Sequence, residues 1–399
     1  MKHSIQLIIS ITFVIGNVCY GDNLKNILSD TKNKIFDYEF RENSAKSDTL
    51  ENAWINPIDL QYSKNYSRQF KDKTFKTASF SIGINQPIFK FGGIYFGIQY
   101  AKALRKLNKT QIELKKREMI VDAIKILFQI KKSKLDYKKR VLLIKNDSIG
   151  IKQKEEQYNA GLQDSSFLDQ AILNKTQNQN ILLELESNIA NLEKEFALLS
   201  DKDPHALSVP RLKLISMHNY KSKNLELIIN RLKVKEKAYD AKMTWTKYLP
   251  TVSLQARYTD EDINPLYADA GIKEKYYNYG INISMPLDMN IFSDVEAKKV
   301  EHLKAQVELI EQEKNINQEY TLLLDTLHII NKKITLARKD EKLYRRLYKV
   351  TKNLVYAGEK TASDMLLMSN TLKIKKLDQK IYYLDKQLAL LALYAKISE

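Results

Sequence analysis

The sequence predicts an α+β membrane protein built as a tandem internal repeat, in which pairs of strands alternate with very long coiled-coil helices. Three observations predict it. "FSIGINQPIFKFGG" (80–93) alternates apolar and polar residues, meets Pro87 and then runs into a proline-free stretch that lasts past position 158. "YGINISMPLDMNIF" (279–292) restates that passage, with Pro286 standing 199 positions after Pro87. Seven-residue spacing of apolar side chains persists for some forty residues after each passage, which is the pattern of laterally packed, supercoiling helices.

The chain opens on a leader. Lys2 and His3 precede a mostly apolar run from Ile5 to Val18, and Cys19-Tyr20-Gly21 offers small residues for cleavage before Asp22. Residues 1–21 therefore read as a secretory signal peptide; as a membrane anchor the run is too short and is broken by Gln6 and Asn17. Lipidation at Cys19 is disfavoured, because Asn17-Val18 lacks the small residue that this modification wants. Cleavage after Gly21 removes the only cysteine, and with it any disulfide, thiolate nucleophile or cysteine metal ligand. No later stretch is apolar and long enough for a transmembrane helix, but strands can also cross a membrane.

The formal charge of +17 invites a nucleic-acid reading. The export signal opposes it, and the lysines are spread through the helical stretches rather than clustered. With 28% charged residues, the basic balance reads as a solvated helical surface, with a weak preference for anionic lipid head groups or solutes.

Two further landmarks recur in order. "YNAGLQDSSFLDQA" (158–171) is echoed by "YAGEKTASDMLLMS" (356–369), Gly161 to Gly358 being 197 positions; "NPIDLQYSKNY" (56–66) is matched by "LPTVSLQARYT" (249–259). The repeats divide the chain into 22–210 and 211–399. In the first, strands at 57–66 and 78–86 flank a short basic hairpin loop (67–76). A long helix at 94–158, a tip at 159–165 and a return helix at 164–200 follow. In the second, a helix at 217–248 leads to strands at 250–259 and 277–285, a long helix at 290–356, a tip at 357–361 and a return helix at 362–397. The prolines stand at boundaries, as residues without an amide hydrogen should. Pro57, Pro87, Pro250 and Pro286 mark strand ends, and Pro265 lies in the second hairpin loop.

Strands of about nine residues suit a tilted crossing of an apolar layer ~25–30 Å thick. On one face, Phe80, Ile82, Ile84, Val252, Leu254, Tyr279, Ile281 and Ile283 are expected to meet lipid. Four strands cannot close a useful barrel, so other copies must contribute. The long helices would span roughly 95–100 Å. Their heptads are Ala123, Ile130, Tyr137, Ile144, Ile151 and Tyr158 in the first, and Leu309, Ile316, Leu323, Ile330, Ala337 and Tyr344 in the second. Each long helix is expected to pack against two short ones stacked end to end, 163–200 with 217–248. Trp54, Trp245 and Tyr248 precede strand starts, where aromatics either anchor a barrel at the interface or pack in a core.

No catalytic constellation is present. His205, His218, His302 and His328 are scattered, and no His/carboxylate spacing suits a metal. Enzymatic activity, cofactors and metals are not expected.

Strand, long helix, glycine tip and returning helix, twice over and behind a signal peptide, resemble the TolC-like outer-membrane efflux family. The stretches that carry the resemblance are "FSIGINQPIFKFGG", "YLPTVSLQARY", "YNAGLQDSSFLDQA" and "YAGEKTASDML", and it covers about 22–397. It implies a homotrimer in which twelve strands, four per chain, close one transmembrane β-barrel continuous with a helical periplasmic tunnel. Pro57, Pro87, Pro250 and Pro286 become the joints between barrel and tunnel. The implied partners are a periplasmic adaptor (membrane fusion protein), an inner-membrane pump and outer-membrane lipid, with no nucleic acid. Transport would be passive, in tripartite efflux or type I secretion. The tips that would dock the adaptor are Ala160, Gly161, Leu162, Gln163, Asp164 and Ser165, with Ala357, Gly358, Glu359, Lys360 and Thr361. Asp164, Asp169 and Asp364 would form acidic rings at the entrance, or else are carboxylates placed in a helix's first turn. The alternative from another class is a periplasmic or secreted coiled-coil structural, adaptor or chaperone-like protein. An adaptor should carry one hairpin between compact β-rich domains, which the sequence lacks.

Overall fold

The computed structural model describes residues 27–70, 73–262 and 273–398. The expected signal peptide, Cys19 and Pro265 lie outside the described residues. In chain order the elements are α1 (Asp30–Glu51), β1 (Asp59–Phe70), β2 (Lys73–Phe89), α2 (Gly93–Asn159), α3 (Ser165–Ala197), α4 (Met217–Lys223), α5 (Leu225–Thr246), β3 (Thr251–Glu261), β4 (Lys275–Ser284), α6 (Ile291–Tyr356) and α7 (Ala362–Ala395). Among the described residues, no helix is long and apolar enough to cross a membrane.

The chain forms two compact units, and they do not follow the sequence repeats. One takes Glu113–Leu225 with the described parts of Met1–Phe36 and Lys314–Glu399; the other takes Asp37–Ile112 and Glu226–Glu313. Each draws on both halves of the chain, because α2 and α6 run through both.

In the first unit the helices lie side by side in the order α3, α2, α7, α6. Asn178 on α3 donates to Asp147 on α2 at 2.6 Å. Across the next seam Lys139 pairs with Asp378 at 2.7 Å, Lys132 with Asp385 at 2.7 Å, and Asn370 donates to Asn146 at 2.9 Å. From α7 to α6, Gln379 reaches Glu341 at 2.6 Å and Lys375 reaches Asp340 at 3.0 Å. The core sits where α2 is most apolar: Ala123, Ile124, Leu127, Phe128 and Ile130 are almost fully buried, with Phe196, Leu390 and Leu391. The segment between α3 and α4 is tied down by backbone acceptors. Leu207 O accepts from Lys131 Nζ at 2.6 Å, and Lys213 O accepts from Tyr394 Oη at 3.0 Å.

Two expectations about the helices are corrected here. The helix expected at 217–248 is broken at Asn224, whose extended backbone bridges Ile397. A tertiary strand-like contact displaces one helical residue, and nothing local foretells it. The end-to-end partners also differ from 163–200 with 217–248. Leu225 N–H donates to Lys396 O at 2.7 Å, so α5 begins where α7 ends; Ser29 N–H donates to Leu199 O at 2.9 Å, so α1 begins where α3 ends.

In the second unit the helical order is α1, α2, α5, α6. Asn43 donates to Arg105 O at 3.1 Å, Met243 approaches Gly97, and Lys233 pairs with Glu308 at 2.7 Å. The sheet is antiparallel throughout, in the order β1-β2-β3-β4. Among the described residues β1 and β4 have no partner on their outer edges.

The strands correct three further expectations. At 12, 17, 11 and 10 residues they are longer than about nine. The first pair runs through most of the supposed loop 67–76, with Tyr66 opposite Lys76 and a register slip between Ser67 and Phe70. In 67–76 the charged and polar residues Arg68, Gln69, Lys71, Asp72, Lys73 and Lys76 outnumber Phe70 and Phe75, so the alternation that marks a strand in sequence fades while the backbone pairing continues on either side of 71–72. Pro87 lies inside β2, at a bulge where the register shifts between Pro87 and Phe89, rather than at its end. The actual turn into α2 is Lys90–Gly93. Phe91 and Gly92 take positive φ of 42° and 87°, and a Cβ on Gly93 would come within 2.8 Å of Thr246 Oγ1.

Candidate functional site

The sheet register sorts the strands into two faces, because directly paired residues project to the same side. One cross-strand row holds Leu60, Ile82, Tyr258 and Tyr277; the next holds Ile84, Ala256 and Tyr279; further along, Leu254 pairs with Ile281 and Val252 with Ile283. All eight of the residues expected to meet lipid fall on this face. Six of them are exposed, Ile281 and Ile283 at 69% each and Tyr279 at 81%, while Ile84 and Val252 are half-buried. Toward the hairpin loops the apolar face ends in charge: Lys275 pairs with Asp260 at 3.2 Å, and Lys64 and Lys76 both sit about 6 Å from the Tyr66 ring centre.

The opposite face carries Ser63, Ser79, Ser81, Gly83, Asn85, Ser253, Gln255, Arg257, Thr259, Asn278 and Asn282. Ser81, Ser253 and Thr259 are buried on it. Ser63 and Ser79 share a hydrogen bond of 2.8 Å, and Arg257 Nη1 donates to Ser81 Oγ at 3.3 Å. The sheet therefore bares its apolar side to the surroundings, unlike the usual sheet of a soluble domain, while on its polar side Ser81, Ser253 and Thr259 are buried and Asn85, Gln255, Arg257, Asn278 and Asn282 are exposed.

The segment entering β1 is held by the Gln86 side chain and by Asn56, whose Nδ2 donates to Asn85 O at 2.5 Å. Gln86 accepts from Asn56 N–H at 3.0 Å and donates to Trp54 O at 3.0 Å. Pro57 precedes β1, Pro250 stands directly before β3, and Pro286 falls two residues after β4. Of the three aromatics before the strands, Trp54 and Trp245 are exposed, whereas Tyr248 is buried. The Tyr248 hydroxyl donates to Asp294 at 2.7 Å, and this bond pushes its pKa up to about 12.

The two helical tips share one backbone design. Gly161 and Gly358 take positive φ of 69° and 79°. Leu162 N–H reaches back to Gln157 O and Glu359 N–H to Leu354 O, each at 2.9 Å, while the glycine amides bond Tyr158 O and Val355 O. That double bond pattern around a left-handed residue is the Schellman cap. No heavy atom lies within 4 Å of where either glycine's Cβ would sit. At the first tip Leu162 is 74% exposed and Ala160, Asp164 and Ser165 are exposed, with Gln163 held by Lys154 at 2.8 Å; at the second, Ala357, Glu359, Lys360 and Thr361 are exposed.

The acidic residues at the tips have structural duties. Asp164 is the N-cap of α3, and the Ser166 N–H at 3.0 Å, aided by the Ser165 hydroxyl, holds its carboxyl below the usual range. Asp364 closes a capping box with Thr361, whose N–H and hydroxyl likewise lower its pKa. Asp169 is exposed on α3. Among the described residues, no three His, Cys, Asp or Glu side chains group as a metal site.

Two features escape a linear reading. In the first unit Lys131, Lys134, Arg338, Lys376, Lys380 and Lys386 converge on one cavity of about 1000 Å³ around Leu135, Ile334, Tyr383 and Leu384. The lysines are thus not uniformly spread; residues some 250 positions apart meet there. On the sheet, Arg257 lies over Gly83, a pairing set by the β2–β3 register.

The chain matches no protein-family model and no curated protein. Solved structures share its fold. The Campylobacter jejuni CmeC outer membrane channel superposes with a TM-score of 0.75 at 16% identity, over 94% of this chain and 86% of that one. The Vibrio cholerae outer membrane protein VceC gives 0.72 at 13%, over 92% and 93%. The open state of the Neisseria gonorrhoeae MtrE outer membrane channel gives 0.62 at 10%, over 91% and 85%. The chain therefore shares its fold with these outer-membrane proteins.

Proposed function

We propose that the chain is the outer-membrane channel component of a tripartite efflux or type I secretion system. It acts as a homotrimer that passively conducts cargo from a periplasmic adaptor and an inner-membrane pump to the exterior. The observation that carries this reading is the sorting of the sheet into one bare apolar face and one polar face. A wall between lipid and a wet lumen requires that arrangement. A water-borne rod or chaperone gains nothing from it.

The open edges of β1 and β4 support closure by further copies, since an unpaired edge inside a membrane leaves backbone groups unsatisfied. Three copies supply twelve strands. The tips are the adaptor's docking surface in this reading. Their glycine caps project into open space, and Leu162 offers an apolar anchor.

Fractionation tests the reading directly: the native protein is expected in the outer membrane as a heat-labile, detergent-resistant trimer. The tip variant Leu162→Asp with Gly358→Trp should reach the same trimer level, yet fail to export and fail to crosslink to the adaptor. Recovery of a soluble periplasmic monomer would sink the channel assignment. Normal export by the double variant would sink tip docking alone.

A further inference from the structure

We infer that the basic cavity of the first unit binds amphiphilic organic anions, solutes that join an apolar body to several carboxylate, sulfate or sulfonate groups. The site goes beyond the channel reading and stands on its own geometry. Three helices build it, each from one side. Lys376, Lys380 and Tyr383 follow one another on α7 at steps of four and three residues; Ile334 and Arg338 on α6, and Lys131 and Leu135 on α2, are four apart. Such steps keep side chains on one face of a helix. On α6 that face lies about 160° around the helix from the exposed Leu336, at 100° per residue.

The floor of the cavity is apolar. Ile334 and Leu384 are buried, Leu135 is half-buried, and Tyr383 lies exposed beside them. A space of about 1000 Å³ admits a solute of several fused rings.

The walls are unequal in charge. Six cations line them, against one carboxylate, Glu341, which Arg345 and Gln379 already hold. Of the six, Lys134 pairs with Glu193 at 3.7 Å, Lys131 donates to Leu207 O at 2.6 Å and Lys386 to Asn331 Oδ1 at 3.1 Å. Among the described residues no carboxylate comes within ion-pair distance of Arg338, Lys376 or Lys380, and all three are exposed. The acids of neighbouring turns do not line the cavity. Asp340, Asp378 and Asp385 are paired with Lys375, Lys139 and Lys132, and Asp136 sits between the last two lysines. An inorganic anion would leave the floor bare, and an uncharged apolar solute would leave three cations unanswered. One molecule with both parts satisfies the site. The sheet that would meet lipid belongs to the other unit, which favours a water-borne solute over a membrane lipid.

The test uses the full-length protein in a neutral detergent and pyranine, a fused aromatic fluorophore with three sulfonates, followed by fluorescence anisotropy. Saturable binding that weakens with added salt is expected. Exposed charge pairs are each worth a factor of roughly 1.5 to 5, so the triple variant Arg338→Gln, Lys376→Gln, Lys380→Gln should bind about tenfold more weakly. A second triple variant, Lys332→Gln, Lys333→Gln, Lys339→Gln, removes the same charge from exposed positions of α6 outside the cavity and should bind as the native protein does. No saturable binding, or equal weakening in both triple variants, overturns the site. Displacement of pyranine by inorganic sulfate at equal concentration overturns the amphiphilic class of ligand. Outer-membrane fractionation decides the channel reading separately, so the two can fail independently.

Discussion

The two long helices are nearly equal in length, 67 residues for α2 and 66 for α6, and both carry heptads, yet they meet solvent differently. On α2 the only large apolar side chains left exposed are Tyr95 and Tyr158, near its two ends. On α6, Leu322, Ile329, Leu336, Leu343 and Val350 form an exposed stripe at strict seven-residue spacing; Val300, Leu303, Val307 and Ile310 extend the pattern toward its start. A second seam on the same helix, with Ile316, Leu327, Ile334 and Ala337, is buried. In each unit α2 has a helix on both sides, whereas α6 has one on a single side. The lesson is that α2 is an interior stave and α6 an edge stave with its second seam unfilled. The opposite edge of the first unit, α3, also bares apolar side chains, Leu173 at 63% and Leu183 at 62%; in the homotrimer proposed above it is the surface that the α6 stripe of another copy would meet.

The largest expected effect breaks this asymmetry. Ile329→Asp together with Leu336→Lys places charge in the open seam and should abolish the detergent-resistant oligomer on unheated gels. Glu155→Lys, at an exposed position of α2, should leave it intact. A full-level oligomer from the α6 double variant would show that the stripe is not an interface between copies.

Next in size is the same contrast drawn on the sheet. Ile281→Arg should cost about 2–4 kcal/mol in the membrane and sharply reduce outer-membrane levels, while Asn282→Arg, one residue along and on the polar face, should be tolerated. Equal levels of the two variants would contradict the assignment of faces.

The smallest effect sharpens the account of the filled seam between α2 and α7. Asp136 sits there among Lys132, Lys139, Asp378 and Asp385, and burial pushes its carboxyl pKa up. An acid whose folded pKa is raised contributes no penalty while protonated in both states. It destabilises the fold progressively as pH rises from about 4 through the folded pKa. Asp136→Asn should therefore raise the melting temperature at pH 7 by about 1–2 °C and leave it unchanged near pH 4. A gain of equal size at both pH values would point to packing instead of charge.

Much of this was legible in residue spacing. The heptads from Ala123 to Ile151 and from Leu309 to Tyr344 mark helices because lateral packing imposes a period on the sequence itself. The strands were legible only across the apolar band, where one face must be greasy; their ends beyond Ser67 and before Ala78, where lysine, arginine and glutamine break the alternation, were not. The break at Asn224 was hidden because its cause is Ile397, far along the chain. The two seams of α6 look alike in sequence; which one stays empty depends on how many neighbours the helix has. Arg257 and Gly83 are 174 positions apart, and their pairing exists only once β2 and β3 choose a register.

The two strand-to-helix passages of the second unit differ in kind. From β2 to α2 the chain turns within Lys90–Gly93, with Gly93 pressed against Thr246 and Gln86 bracing the strand from the other side. From β4 to α6 it passes through Met285–Asn290, where Leu287 and Met289 are more than 90% exposed. The first passage is thus braced by packing, whereas the second is braced only at its α6 end, where Asp288 Oδ1 accepts from Asn290 N–H at 2.8 Å and Asn290 O from Asp294 N–H at 2.9 Å. A load carried along α2 would meet the sheet through side-chain contact, and one carried along α6 would reach β4 through backbone alone.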